Sequence, residues 1–497
     1  MYLWAPGSPA GRIGTVPPVP KGARNRLTPL YWIAGVTAAL LLVFPYGFPN
    51  YDTIYALLWG REMAHGDSPD YGAALPPTPH PLTEVWGLLA SPFGDGVITL
   101  TMIGAYVSLG LIGFFVYRLG SIWFDRWIGA VAAAIVLTRA PFLSNGLRAY
   151  IDLPYIALCL GALLVEAKRP RAGWPVLALL VLAGLLRPEA WLFAVVYWLY
   201  LAYTADRSDP SDAIRELAPL AALALAAPIL WALFDWITTG SLTYSWTGTK
   251  ETVEALERQT GPVDLVLYGP RRLGEVLQWP GMVGALGGVA LGLAFLRRRS
   301  LLGAAAAALA LLAFALLACG GLAILPRYTM LAAAILAIFV AVGLLGWRLL
   351  EPEHPWRRRW QVFAALVAAM FVVWLPNQLD LDSRVDTDLT NQARIENDLS
   401  DLVDEGAFEP LCGEIAVPNH RAVPRLAFGL DIKPTRIVSA SEEDAPARGY
   451  FVAPASPFVI HNFILDPNDP TNPSFPPPKG FERVASNESW AVYRRCP

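Results

Sequence analysis

Charged residues are scarce in this chain. Only 16% of its 497 residues are Asp, Glu, Lys or Arg, against 55% hydrophobic. That is the make-up of a polytopic membrane protein and not of a soluble enzyme. No strong excess of either sign exists, the formal net charge being −3, and nothing supports nucleic-acid binding. Cysteine is rare as well. The four, Cys159, Cys319, Cys412 and Cys496, show no C-x-x-C spacing, and two lie in apolar runs where a buried thiol is expected, so metal and redox chemistry start weak. No cleavable signal sequence is expected: the first long apolar run begins near Leu30, is too long for an h-region and has no small-residue cleavage site. Internal repeats are also lacking, and the alanine-rich "GAAAAALALLAFALLA" reads as a helix face that lets neighbours approach.

What the chain has instead is long apolar runs. Crossing about 30 Å of hydrocarbon takes roughly 20 helical residues. About eleven runs approach that length, at 30–48, 97–117, 127–143, 152–167, 174–186, 191–203, 217–236, 281–296, 301–325, 328–347 and 360–375. Basic patches fall on alternate connections. With Arg12, Lys21, Arg24 and Arg26 placed in the cytoplasm, "YRLGSIWFDR", "EAKRPRAG", "ADRSDPSDAIRE", "RRRS" and "WRLLEPEHPWRRRW" share that side, roughly eighteen basic residues against about nine opposite. This predicts a plasma-membrane protein with a cytoplasmic tail over 1–29, a membrane domain over 30–376 and an extracytoplasmic C-terminal domain over 377–497. In that last domain "NQARIENDLSDLVDEG" reads as an amphipathic helix and "GEIAV", "TRIVS", "GYFVAP" and "WAVYRR" as strands, a small α/β or α+β unit. Cys412 and Cys496 are its only cysteines, and outside the cytoplasm a disulfide between them is expected, with two free thiols as the alternative. The fold class is therefore an α-helical polytopic membrane protein carrying a small α/β domain.

Polar residues concentrate on the outer face. The connection over 49–96 holds Asp52, Tyr55, Arg61, Glu62, His65, Asp67, Asp70, His80 and Glu84, and long ordered loops are usually functional. "YDTIYALLWGREMAHG" has the spacing of a helix lying along the membrane surface, and "PPTPHPLTEVWGLLASPFG" begins a second short amphipathic piece. "SNGLRAYIDLPY" sets Arg148 and Asp152 four apart, able to pair or to face a cavity. "LLRPEAW" brings Arg187 and Glu189, and "LPRYTM" brings Arg327 and Tyr328. Any one of these arginines is most simply explained as snorkelling; several acids and arginines at one membrane level favour a shared cavity. The loop over 237–280, with Lys250 and Arg258, is polar, aromatic and long enough to cover such a cavity, where those two cations could meet phosphate or lipid headgroups.

The order of "NYDTIYALLWGREM", "PHPL", "LRAYIDLPY", "LLRPEAW" and a late "PRY" resembles the integral-membrane GT-C glycosyltransferases, nearest the dolichyl-phosphate-mannose-protein mannosyltransferase-like and aminoarabinose-transferase-like group. The likeness covers the membrane part of the chain. It implies transfer of a sugar from a polyprenyl-phosphate-linked donor to a lipid, glycan or protein acceptor on the outer side of the membrane, with Asp52 matching the catalytic acid of the first outer loop and Asp152 a second outer-loop acid. The chain departs from the pattern in having a single acid, "YDT", where a pair is usual, and "PHPL" for "PPL".

Physically, such transfer needs a base for the acceptor hydroxyl and cations for the departing phosphate. Asp52 is the candidate base; Arg148, Arg187 and Arg327 are candidates for the phosphate, with Tyr328, His80, Glu84, Tyr55 and Lys250 as further donor- or substrate-binding candidates. The bland alternative is that Asp52 only caps a helix, a role aspartate favours. No cluster of His, Cys or spaced carboxylates indicates a metal, although some relatives use a divalent ion. Two other function classes stay open: a transporter, disfavoured because ionisable residues are nearly absent from the spans, and a catalytically inactive scaffold presenting its outer domain.

Overall fold

The computed structural model describes residues 28–205, 210–463 and 476–496; most of the expected cytoplasmic tail, with its four basic residues, lies outside them. The chain is mostly helical. Helix α1 (Thr28–Val43) leads into two short helices, α2 (Tyr51–Ala64) and α3 (Pro81–Ala90), within the first long connection. Then follow α4 (Gly96–Trp123), α5 (Arg126–Leu137), α6 (Ala140–Leu147), α7 (Asp152–Lys168), α8 (Trp174–Gly184), α9 (Glu189–Tyr203) and α10 (Pro210–Thr239). Helices α11 (Tyr244–Ala255), α12 (Gly261–Phe295), α13 (Arg297–Cys319), α14 (Met330–Leu345) and α15 (Arg357–Asp404) complete the helical body.

Each expected apolar run falls on helix, but few of these helices are long. Six described helices are long and apolar enough to cross a membrane, or seven if the α5–α6 pair, bent by 58°, counts as one span. Helices α8 and α9 and the stretch Pro29–Val43 are apolar but shorter. The α5–α6 bend has a local cause: Pro141 sits in the first turn of α6, where its missing N–H costs nothing, and it prevents α5 from continuing through it. In α12 the break is at Gln278, which takes a left-handed φ of 60° just before Trp279 and Pro280. Helix α15 has 48 residues, about 72 Å at 1.5 Å per residue, so it leaves the apolar layer and continues beyond Pro376 into the C-terminal domain.

That domain adds β1 (Glu414–Val417), α16 (Val423–Leu430), β2 (Ile437–Ser439), β3 (Gly449–Pro454), α17 (Pro457–Asn462), β4 (Glu482–Ser486) and β5 (Trp490–Arg495). The strand order is β2-β1-β3-β5-β4, with β1 parallel to β2 and β3, and β5 antiparallel to β3 and β4. The four stretches read as strands from sequence are β1, β2, β3 and β5; β4 was not read, because its residues are mostly exposed and its apolar positions few. Cys412 and Cys496 are bonded to each other, their Cα atoms 5.8 Å apart.

Two large hydrophobic cores organise the molecule. One joins α4, α5, α7, α8, α12 and α14 around Leu109, Ile112, Leu160 and Phe339. The other joins the sheet and α16 to Ile54, Tyr55, Leu57, Leu58 and Trp59 of α2. Helix α2 therefore packs with the C-terminal domain. Its other face lies tight on α3, where Gly60 and Gly87 meet: a Cβ on Gly60 would come within 2.4 Å of Gly87 backbone, so any larger residue would push the helices apart.

Candidate active site

Asp52 lies in the first turn of α2, but it does not cap it. Asn50, in extended conformation, accepts from the N–H groups of Asp52 and Thr53 at 2.8 and 3.3 Å. Its amide nitrogen donates to the Arg148 carbonyl at 2.8 Å and to Thr53 Oγ1 at 2.9 Å, while Thr53 Oγ1 donates to the Ala149 carbonyl at 2.8 Å. These bonds stitch the start of α2 to the α6–α7 corner, where Ala149 holds φ at 50°. With the cap supplied by Asn50, the Asp52 side chain is left to face the cavity, and its carboxylate pairs with Arg327 at 3.3 Å.

The cavity measures about 1690 Å³ and brings together Asp52, His80, Arg148, Asp152, Arg187, Arg327 and Tyr328. Its inner wall is a buried charge cluster. Arg187 donates to Asp152 Oδ1 and, at 3.1 and 2.5 Å, to Glu189 Oε1, and its guanidinium lies 4.2 Å from the Tyr328 ring centroid. Arg148 does not pair with Asp152, the pairing its spacing allowed. It bonds Ser144 Oγ at 2.9 Å and lies over the Tyr150 ring at 5.0 Å, because the tight corner at Ala149 turns it away from the axis of α7. Among the three arginines singled out from sequence, Arg187 is thus taken up by two carboxylates and Arg327 by one, while Arg148 bonds the neutral Ser144 and lies over the Tyr150 ring.

Three candidates fall outside the lining. Tyr55 is fully buried in the α2 core. Glu84, also fully buried, accepts from the Tyr71 hydroxyl at 2.8 Å, and its other oxygen has no partner; burial pushes its carboxyl up to about 8. Lys250 lies over the Trp246 ring at 5.1 Å. His80 does line the cavity, at the N-cap of α3, and burial followed by the nearby Arg187 charge lowers its imidazole to about 3, so it is neutral there. Helix α11 crosses the cavity, held by Asp235, which accepts from Ser245 N and Oγ at 3.0 and 2.7 Å, and by a Thr78–Thr249 hydroxyl bond of 2.5 Å.

Several lining residues were not singled out: Tyr51, Asp235, Arg271, Arg272, Glu275, Arg384, Gln392, His420 and Arg421. Asp235 carried a signal, being an acid inside an apolar run. The residues beyond 380 carried none, since only the tertiary fold returns them to the cavity. A divalent cation finds no donor set: among the described residues no three His, Cys, Asp or Glu converge, and Asp152 and Glu189 are turned toward Arg187.

No family model matches the chain, and no curated protein matches it. Solved structures do. The apo structure of ArnT from Cupriavidus metallidurans aligns with a TM-score of 0.50 and 14% identity, covering 93% of this chain and 98% of that one. The fold is that of this ArnT structure. Archaeoglobus fulgidus oligosaccharyltransferases align less well: AglB bound to an inhibitory peptide and a dolichol-phosphate at a TM-score of 0.44, with 13% identity over 82% of this chain and 64% of that one, and an apo form at 0.47, with 12% identity over 86% and 70%. At these identities the likeness is one of fold.

Proposed function

We propose that this chain is a membrane glycosyltransferase that moves a hexosyl or pentosyl group from a polyprenyl-phosphate carrier to a hydroxyl of a second substrate, on the side of the membrane where the C-terminal domain lies. The observation that carries this reading is the Asp52 carboxylate: Asn50 caps its helix, so Asp52 is available to a large cavity that opens between the apolar helices and the C-terminal domain.

In this reading the acceptor oxygen attacks the anomeric carbon, its proton passes to Asp52, and the bond from that carbon to the phosphate oxygen breaks, leaving the electron pair on the carrier phosphate. Arg148 and Arg327 take the growing phosphate charge. A phosphate that engages Arg327 competes with Asp52 for the same guanidinium, so donor binding frees the carboxylate to act as base. Arg187 acts one step back, fixing Asp152 and Glu189 under the Tyr328 ring. By the distribution of basic residues, the C-terminal domain is extracytoplasmic and the protein sits in the plasma membrane.

The test is transfer from a panel of polyprenyl-phosphate-linked sugars by the purified protein in lipid. Asp52→Asn keeps the size of the side chain and leaves the Asn50 cap intact, so folding should stay near wild type while turnover falls about 10²-fold or more. Wild-type turnover in Asp52→Asn would remove the base, and no turnover of any such donor by the wild type would remove the reading altogether.

A further inference from the structure

Helix α12 is broken where it passes the cavity. At the break Gln278 holds φ 60° and ψ 166°, a combination open to glycine and unfavourable for any other residue. Both halves of the helix are anchored. Before the break Arg272 donates to the Ile324 carbonyl at 3.1 Å and to Gln259 Oε1 at 2.7 Å; after it Gly284 lies so close to α14 and α15 that a Cβ there would meet Val340 and Val367 at 3.0 and 3.2 Å. Packing therefore enforces the break. It does not call for a glutamine, since glycine would make the same turn with less strain.

The two ends of the Gln278 amide have different surroundings. The residue is buried, and its Oε1 accepts from Arg139 Nη1 at 3.2 Å; a guanidinium only donates, so this bond settles which end of the amide is oxygen. The amide nitrogen has no partner among the described residues and is open to the cavity that Gln278 lines. Arg139, also buried, stands at the α5–α6 bend with Asp382 offsetting its charge, and Gln378 ties the same corner together by donating to the Thr138 carbonyl at 3.4 Å and to Asp382 Oδ1 at 2.7 Å. Arg139 and Asp382 balance one another, and through Gln278 the corner offers the cavity a fixed, neutral N–H donor.

We propose that Gln278 binds the sugar being transferred, its amide N–H donating to a hydroxyl oxygen of that sugar, with Arg139 as the positioning residue. The assignment rests on the glycosyl-transfer reading above. Helix α6 starts beside Arg139 and ends at Arg148, and its Ala140, Pro141, Ser144 and Asn145 line the cavity between them. Eight residues span about 12 Å, and Arg148 folds back one turn to Ser144, so about 7 Å separates its guanidinium from the start of the helix, the reach of one monosaccharide. In that reading the carrier phosphate is at Arg148, and Asp52 with the acceptor hydroxyl stands at the same end, because Asn50 bonds the Arg148 carbonyl. Two groups hang from the phosphate, a hydrocarbon chain and a sugar. A hydrocarbon chain against Gln278 would bury its free N–H with no acceptor, whereas a sugar hydroxyl supplies one.

Binding to the full-length protein in nanodiscs tests this with undecaprenyl phosphate, bare and carrying glucose, mannose or arabinose. At least one sugar-bearing carrier should bind about tenfold tighter than the bare one. That increment should vanish in Gln278→Gly, which relieves the backbone at 278, while affinity for bare undecaprenyl phosphate stays within about twofold of wild type. Arg139→Met, which leaves the amide free to turn, should lower the increment and Arg139→Lys should keep part of it, a split that general damage to the α5–α6 bend would not produce, because such damage weakens the bare carrier equally. Equal binding of bare and sugar-bearing carriers, an increment that survives Gln278→Gly, or an equal loss for both carriers would each overturn the assignment. Turnover is scored separately: no turnover of any of these donors by the wild type sinks the transferase reading, whereas turnover with the increment intact in Gln278→Gly sinks only the role of Gln278.

Discussion

Removing the members of the Arg187 triad one at a time should give unequal losses, and the inequality follows from charge balance. The Arg187 side chain is 9% exposed and those of Asp152 and Glu189 are 2% and 5% exposed, so one buried cation serves two buried carboxylates. Asp152→Asn leaves a balanced Arg187–Glu189 pair and keeps an oxygen facing the guanidinium. Its cost should be that of weakening one charge-assisted hydrogen bond, about 1–2 kcal/mol. Arg187→Gln instead strands two carboxylates in a low-dielectric wall with no cation between them, and stranding a buried charge costs about 3–5 kcal/mol. Thermal unfolding of the two variants in the same detergent, followed by tryptophan fluorescence, should therefore rank Arg187→Gln well below Asp152→Asn. Arg148 should be little disturbed by Asp152→Asn, since it is held by Ser144 and Tyr150. Equal losses, or a larger loss for Asp152→Asn, would refute the claim that Arg187 is committed to structure and so reopen it as the main phosphate ligand.

Asn50→Ala removes the α2 cap, worth about 1 kcal/mol, and also the tie to the α6–α7 corner, so transfer should fall further than the stability loss explains; Asn50→Asp keeps the cap but sets an acceptor-only oxygen against the Arg148 carbonyl, and should recover at most part of the stability and none of the rate. Unchanged kinetics in both would show that the tie positions nothing. Glu62 and Glu84 are pushed by burial from 4.5 to about 7 and about 8, so both keep their protons when folded and lose them when unfolded at lower pH. Stability should thus fall as pH rises from about 4.5 through about 8, and Glu84→Gln should flatten that slope; a slope unchanged in Glu84→Gln would contradict the burial argument. Cys412→Ser opens a covalent loop with a separation of 84 residues and should cost about 2–5 kcal/mol, read as an earlier melt of the C-terminal domain that reductant reproduces in the wild type.

The apolar runs, the platform after the first of them and four of the five strands were legible because each is a local pattern: hydrophobic length, helical spacing or alternation. So were the residues at helix mouths that line the cavity, since ionisable groups stand out against an apolar background. What the pattern could not carry was pairing. Arg148 and Asp152 are neighbours in spacing, yet the left-handed residue between them, Ala149, points them at different partners, and an alanine advertises no such conformation. The cap was misleading for a related reason: Asn50 and Asp52 are both good capping residues, and which one caps depends on where the helix starts, a boundary fixed by the bond from Asn50 to the α6–α7 corner. His420 and Arg421 had no signal because their place depends on α15 carrying the chain far past the apolar layer and on the sheet folding back.

That return has a mechanical consequence. Helix α2 buries Ile54, Tyr55, Leu57, Leu58 and Trp59 in the same core as the sheet, and its far end is clasped by Arg61 against α16 and Asp431. Its near end is bonded to the helical body through Asn50 and Thr53. The helix that carries Asp52 therefore bridges two cores, and the C-terminal domain cannot shift without moving the carboxylate relative to Arg327 or breaking one set of bonds. A domain that were merely an attached module would leave α2 packed on the membrane helices alone. Because it supplies the core under α2 as well as a wall of the cavity, the geometry of the site depends on the domain even at residues it does not contribute, which is why a loosened C-terminal domain should impair transfer before the helical body unfolds.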